Sequence, residues 1–215
     1  MKRIPTFRYL KRKHFLDKNK IRSVSTNLSN SFDNAYTTAS TILKKSLIEA
    51  ESLQIALEGQ IDKILDKIEI SENFEPSEKD EKIAKELGEK ESLIESNNDS
   101  LLSLSEMRIV FLFKTIENAI VRMTDIAFPK AKKKTFFRWD VIVDFLKING
   151  VKIDKINGYE AVNQLRVVNN NIKHSLNIDE STKKFRFWIH ETDFTYENLY
   201  KFYKSIHEPK AKVDP

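Results

Sequence analysis

Cysteine is absent from the 215 residues, and that one absence removes disulfides, thiolate nucleophiles and Cys-ligated zinc or iron–sulfur centres together. Glycine and proline are almost as scarce, at 4 and 5 residues. An all-β chain needs turn residues at regular short intervals, so this poverty excludes many short strands and favours long helices. The four histidines, His14, His174, His190 and His207, form no H-x-x-x-H pair, and no metal site is expected. There is no run of about 18 apolar residues to cross a membrane, and the start of the chain lacks the apolar core of a secretory signal. The expectation is a cytoplasmic protein without a membrane segment. Nor is there a Gly-rich phosphate loop, a nucleophile elbow or a paired-carboxylate pattern, which removes kinase-like and hydrolase-like readings. No cofactor is expected.

What is present is charge, at 32% of residues, balanced by 40% hydrophobic residues, the mixture of a globular chain. The charge is unevenly spread. Residues 1–22 hold nine Lys or Arg, among them Arg8, Lys11, Arg12 and Lys13, against the single acid Asp17. That segment therefore carries +8, and since the whole chain carries +5 the remainder carries −3. With Phe7, Tyr9 and Phe15 interleaved, the segment suits phosphate contacts and base stacking on a nucleic acid. The competing reading is a solvated terminus, or a strap on the protein's own acidic surface.

Residues 23–40, rich in Ser, Thr and Asn, read as a loop entering a helix. Beyond it Leu43, Leu47, Ala50, Gln54, Leu57, Ile61, Ile64 and Ile68 recur at alternating spacings of four and three, a heptad seam in which Gln54 is the one polar member and a candidate for fixing register. The pattern stops around Ser71 to Ser77, with Pro76 as breaker, and resumes through Ile83, Leu87, Ile94, Leu101 and Leu104. A short connection makes the two helices antiparallel neighbours. Gly88 and the polar run Glu95 to Ser100 predict a kink or fraying in the second arm. Met107 to Phe128 is apolar over most of its circumference and should be a central helix, stopped by Pro129 and followed by Lys130 to Lys134. Further helices are expected over Thr135 to Asn149, Tyr159 to Asn177 and Thr195 to His207. Residues 183–190 are rich in β-formers and predict a short strand or hairpin arm. The fold class is all-α: a basic tail and loop over 1–40, a coiled-coil-like helical hairpin over 41–104 and a helical bundle over 105–208, with one short β element allowed.

One segment concentrates hydrogen-bonding side chains: Gln164-Leu-Arg-Val-Val-Asn-Asn-Asn-Ile-Lys-His-Ser175. Asparagine is a poor helix former, so Asn169, Asn170 and Asn171 inside a helix are locally expensive. Arg166, Asn170 and His174 recur every four residues and share one helical face, while Leu165, Val168, Ile172 and Leu176 take the core face.

Here the chain resembles the HEPN superfamily of helical-bundle proteins, widespread in bacterial toxin–antitoxin, CRISPR and antiphage systems. The resemblance covers roughly residues 105–207. Asn170 and His174 have the spacing of the polar residue and His in that family's motif. The position of its Arg is occupied by Asn169, and the nearest upstream arginine, Arg166, has seven residues between it and His174.

The resemblance implies a homodimer in which two motifs line one cleft, and a metal-independent endoribonuclease. His174 would act as acid or base, Arg166 as phosphate stabiliser and Asn170 as orienting group, with Asn169 and Lys173 as further RNA contacts. Glu106 or Glu117 would project toward the motif from the central helix. The competing expectation is a non-catalytic scaffold that binds a protein partner through the helical hairpin.

Overall fold

The computed structural model describes residues 30–70, 75–129, 138–175 and 177–207. Among them are six α-helices and no strand: α1 (Asn30–Ile70), α2 (Glu78–Ala127), α3 (Trp139–Ile148), α4 (Tyr159–His174), the single turn α5 (Glu180–Lys183) and α6 (Tyr196–His207), with a 3₁₀ turn at Ile153–Lys155. The all-α expectation holds. None of these helices is long and apolar enough to cross a membrane. The described residues divide into two compact units, one of those within 34–107 and 195–200, the other of those within 30–33, 108–194 and 201–207.

In the first unit α1 and α2 run antiparallel. As α1 advances from Tyr36 to Ser46, its hydrogen-bond partner on α2 retreats from Ser105 to Asn97. Of the expected heptad seam, Ala50, Leu57 and Ile64 are buried, while Leu43, Leu47, Gln54 and Ile61 are half-buried and Ile68 is exposed. Every seventh residue faces the partner squarely, and the intervening seam positions fall on the margin of a two-helix contact. Gln54 does not reach across; its Nε2 donates to Glu58 one turn on, at 2.8 Å. Asn97 is buried in this contact along with Ser40 and Ser105, and its Nδ2 donates to Ser46 Oγ at 3.1 Å.

Helix α1 begins at Asn30, inside the stretch expected to be a loop. Helix α2 is a single 50-residue helix. Neither Gly88 nor the Glu95 to Ser100 run interrupts it, and the separate helix expected from Met107 is its continuation. Its start is a reciprocal capping box: Ser77 Oγ accepts from the Asp80 N–H at 3.3 Å, and Asp80 Oδ2 accepts from the Ser77 N–H at 2.9 Å. Those bonds from Ser77 hold the Asp80 carboxyl below its usual range.

The second unit is built around Ile109, Phe113 and Ala119 of α2, Ile142 and Val143 of α3, and Leu165 and Val168 of α4, all buried. Met107 and Phe111 are exposed, so the apolar helix buries a stripe, not its whole circumference. Trp188 is fully buried and lies 4.8 Å from the Phe187 ring, 5.4 Å from Phe194 and 5.1 Å from Phe202, each pair tilted or edge-on as aromatic quadrupoles prefer.

This cluster explains why 183–190 is not the expected strand or hairpin arm. Asp179 caps α5 by accepting from the Thr182 N–H at 2.8 Å. The chain then descends through successive turns, with Phe185, Trp188 and Glu191 each donating three residues back. The β-forming aromatics are recruited into a core, which overrides local propensity. The remaining β feature among the described residues is one antiparallel bridge between Asn177 and Asp193.

A second knot ties Asp33 into this unit. Asp33 Oδ1 accepts from Arg108 Nε at 3.1 Å, from Arg108 Nη2 at 3.0 Å and from Tyr203 Oη at 2.8 Å. The Arg108 guanidinium carbon also lies 3.4 Å from the Tyr203 ring centroid. Burial, reinforced by the bond to Asp33, pushes the Tyr203 phenol up to about 12.

Candidate functional site on helix α4

Helix α4 starts after Gly158, whose φ of 85° lies in the left-handed region that favours glycine, and it ends at His174. Leu165 and Val168 anchor one side in the core. Asn163, Arg166, Asn170 and His174 follow at spacings of three, four and four on another side. The first three of these line a groove of about 630 Å³ together with Glu117 of α2 and Trp139 and Asp144 of α3. Phe113, Arg138, Asp140, Val143 and Tyr159 complete its lining.

The guanidinium of Arg166 is fixed: Nε and Nη2 both donate to Asn163 Oδ1, at 3.2 and 3.1 Å. This draws it toward the start of α4 and away from His174. The α-carbons of Arg166 and His174 are already about 12 Å apart along the helix axis at the standard rise. Within the chain, therefore, Arg166 and Asn170 share the groove and His174 lies beyond it, exposed in the last turn with Lys173.

The three consecutive asparagines have three different surroundings. Asn171 is buried and satisfied: its Nδ2 donates to the Asn177 carbonyl and its Oδ1 accepts from the Asp179 N–H, both at 2.9 Å. It clamps the chain reversal after α4, which offsets its poor helix propensity. Asn169, expected beside Asn170 as an RNA contact, is only 1% exposed and faces the interior. Its Nδ2 donates to Asn170 Oδ1 at 3.3 Å, while its own Oδ1 has no partner. That bond orients the amide of Asn170 and engages one lone pair of its oxygen, leaving the other lone pair and the N–H₂ group available at the groove.

Glu117 is the acid from the central helix that reaches this groove. Its side chain is 16% exposed, and Oε2 accepts from Lys114 Nζ at 2.8 Å. Glu106, raised above its ordinary pKa by burial, belongs to the other unit and is not among the groove residues. Arg138 and Asp140 form an ion pair in the lining, and hydrogen bonding to Arg138 holds the Asp140 carboxyl below its usual range.

Asn163 was readable from its helical spacing to Arg166 and Asn170. Trp139 carried only a core signal in the sequence, and Asp144 none. Among the described residues no group of three or more His, Asp or Glu side chains is placed to hold a metal. The tail residues Arg8, Lys11, Arg12 and Lys13, the Lys130 to Lys134 run and Leu176 lie outside the described residues. No family model, no curated protein and no solved structure matches this chain.

Proposed function

We propose that the chain is a HEPN-like protein of a bacterial defence or toxin–antitoxin system. In this reading it binds RNA along α4 and, as a homodimer, cleaves it without a metal. The observation that supports this is the face of α4, where Arg166 and Asn170 line one groove and His174 stands exposed a turn further on.

Metal-free RNA cleavage requires a base for the ribose 2′-OH proton and cationic donors for the charge that develops on phosphate. His174 is the acid or base, and Asn170 presents an oriented N–H₂ donor. Because Arg166 is drawn toward Asn163, the cation beside His174 is Lys173 of the same chain or an arginine of a second copy.

The test is incubation of wild-type and His174→Ala protein with a mixed RNA pool in EDTA, followed by mapping of cut ends. Cleavage by wild type alone, leaving cyclic or 3′-phosphate ends, is the expected result. Cleavage by the variant at the wild-type rate removes His174, and no cleavage by either removes the nuclease.

A second reading, a partner-binding arm, is favoured by α1 itself. It exposes Ile48 at 62% and Ile55 at 69%, seven residues apart on one face of the hairpin. Glutamate at both positions should abolish self or partner association, measured by sedimentation, while leaving helix content unchanged; retained association removes this reading.

A further inference from the structure

A two-helix hairpin needs one apolar seam per helix, and α1 has two. The first, through Ala50, Leu57 and Ile64, is buried. On the opposite side of the helix Lys45, Ile48, Ser52, Ile55, Gly59 and Asp62 recur at alternating spacings of three and four, the period of a helix–helix contact, and all six are exposed. A solvent-facing stripe should be polar throughout; this one carries the isoleucines Ile48 and Ile55. Gly59 is a second anomaly on the same stripe. It stands well inside the 41-residue α1, where glycine is a much poorer helix former than alanine, and a methyl group on its α-carbon would meet nothing within 4 Å. Packing within the chain gives no reason for a glycine here, whereas close approach by another helix does.

The stripe complements itself when two copies lie antiparallel. About a two-fold axis level with the Leu53–Gln54 peptide, Lys45 of one helix meets Asp62 of the other, Ile48 meets Gly59, and Ser52 meets Ile55, each pair occurring twice. Every isoleucine then sits over a small residue, as knobs-into-holes packing requires, and each charged layer is a pair of opposite sign. Lys45 has an exposed partner of its own in Glu49, at 3.8 Å, a loose pair that leaves ammonium donors for Asp62.

Parallel pairing in register does worse in the contact layers. It faces Lys45 with Lys45, Asp62 with Asp62 and Gly59 with Gly59, which makes two repulsive layers and a void. Its gain is on the open flanks, where Lys44 meets Glu49 and Glu58 meets Lys63 of the second copy. Exposed pairs contribute little, and these are compromised: Lys44 lies 4.6 Å from the Tyr196 ring centroid, and Glu58 accepts from Gln54. The antiparallel flank brings Glu51 near Glu58 of the second copy, a repulsion between exposed groups that is small for the same reason.

We infer that the outer stripe of α1 is the surface on which two copies of this chain pair antiparallel, with Lys45 and Asp62 setting the direction. The inference rests on the partner-binding reading of the arm and names the partner as a second copy.

Sedimentation equilibrium of the full chain tests it, with circular dichroism as the check on folding. Wild type should dimerise, and Ile48→Glu/Ile55→Glu should be monomeric. Lys45→Asp alone, or Asp62→Lys alone, should weaken the dimer by roughly tenfold, because each turns two attractive pairs into repulsive ones. The double variant Lys45→Asp/Asp62→Lys should restore it. Gly59→Leu fills the space over which Ile48 packs, so it should raise helix stability while weakening the dimer; a role confined to the helix itself moves both readings in the same direction.

A full chain that stays monomeric at every concentration overturns the inference and leaves the arm for a different protein. A dimer that survives both glutamates overturns the inference and the arm reading together. A dimer lost with the glutamates but indifferent to the charge reversals and to Gly59→Leu keeps the arm reading and overturns the antiparallel pairing.

Discussion

Replacing Asp33 by alanine removes the one carboxylate oxygen that takes hydrogen bonds from Arg108 Nε, Arg108 Nη2 and Tyr203 Oη. The Arg108 side chain is 12% exposed and the Tyr203 residue 5% exposed, so water does little to replace the lost acceptor. Breaking a buried pair by removing one partner costs about 3–5 kcal/mol. Asp33 is itself 25% exposed, which places the expected loss at the lower end, about 3 kcal/mol. With a urea m-value of about 2 kcal/mol/M, the midpoint followed by circular dichroism should fall by about 1.5 M. Asp33→Asn keeps an acceptor without the charge and should lose roughly half as much. In a double-mutant cycle with Arg108→Met, the second substitution should cost far less in the Asp33→Ala background than in wild type, because the guanidinium has then already lost that carboxylate. An Asp33→Ala midpoint within about 0.25 M of wild type, or strict additivity with Arg108→Met, would refute the reasoning.

Trp188→Ala should cost about 3–5 kcal/mol by thermal unfolding, whereas Trp188→Phe should cost less than half of that, because the buried indole N–H has no partner to lose. A loss from the phenylalanine variant as large as from alanine would show that the N–H is satisfied. The phenol of Tyr203 is raised to about 12 by burial and by its bond to Asp33, so its contribution is complete below pH 10 and disappears as the pH rises to 12. Relative to Tyr203→Phe, wild type should lose on the order of 1–2 kcal/mol across that window, and parallel pH profiles would count against it. In the hairpin, Asn97→Ala and Ser46→Ala should each lower stability by about 1 kcal/mol, and the double variant by little more than one of them; full additivity would mean that the 3.1 Å bond between them contributes nothing.

Much of this was legible before any coordinate. The seven-residue recurrence of Ala50, Leu57 and Ile64 marks the buried seam of α1, and the spacing of Leu165 and Val168 marks the core side of α4. The continuity of α2 could also have been read: between Glu78 and Ala127 there is no proline, and the lone Gly88 is tolerated on an exposed face. Asn97 was hidden because it sits in a polar run that reads as solvated, and only the opposing Ser46 makes its burial affordable.

The candidate site divides along the same line. Asn163, Arg166 and Asn170 lie on one helix, where period alone places them together. Trp139, Asp144 and Glu117 come from other helices, and which face of α3 meets the groove is decided by packing. The separation of Asn169 from Asn170 was available in principle, since Asn169 stands four residues after Leu165 and three before Ile172, on the core side.

That buried amide has a further consequence. Leucine is close to asparagine in shape and would fill the same interior position without leaving an unpaired oxygen. Asn169→Leu is therefore a route to a more thermostable protein, and it is also the change that releases the amide of Asn170. The fold gives up stability at a helix position that holds a groove side chain in its orientation, a trade-off in which rigidity of the surface is obtained from an imperfection in the core.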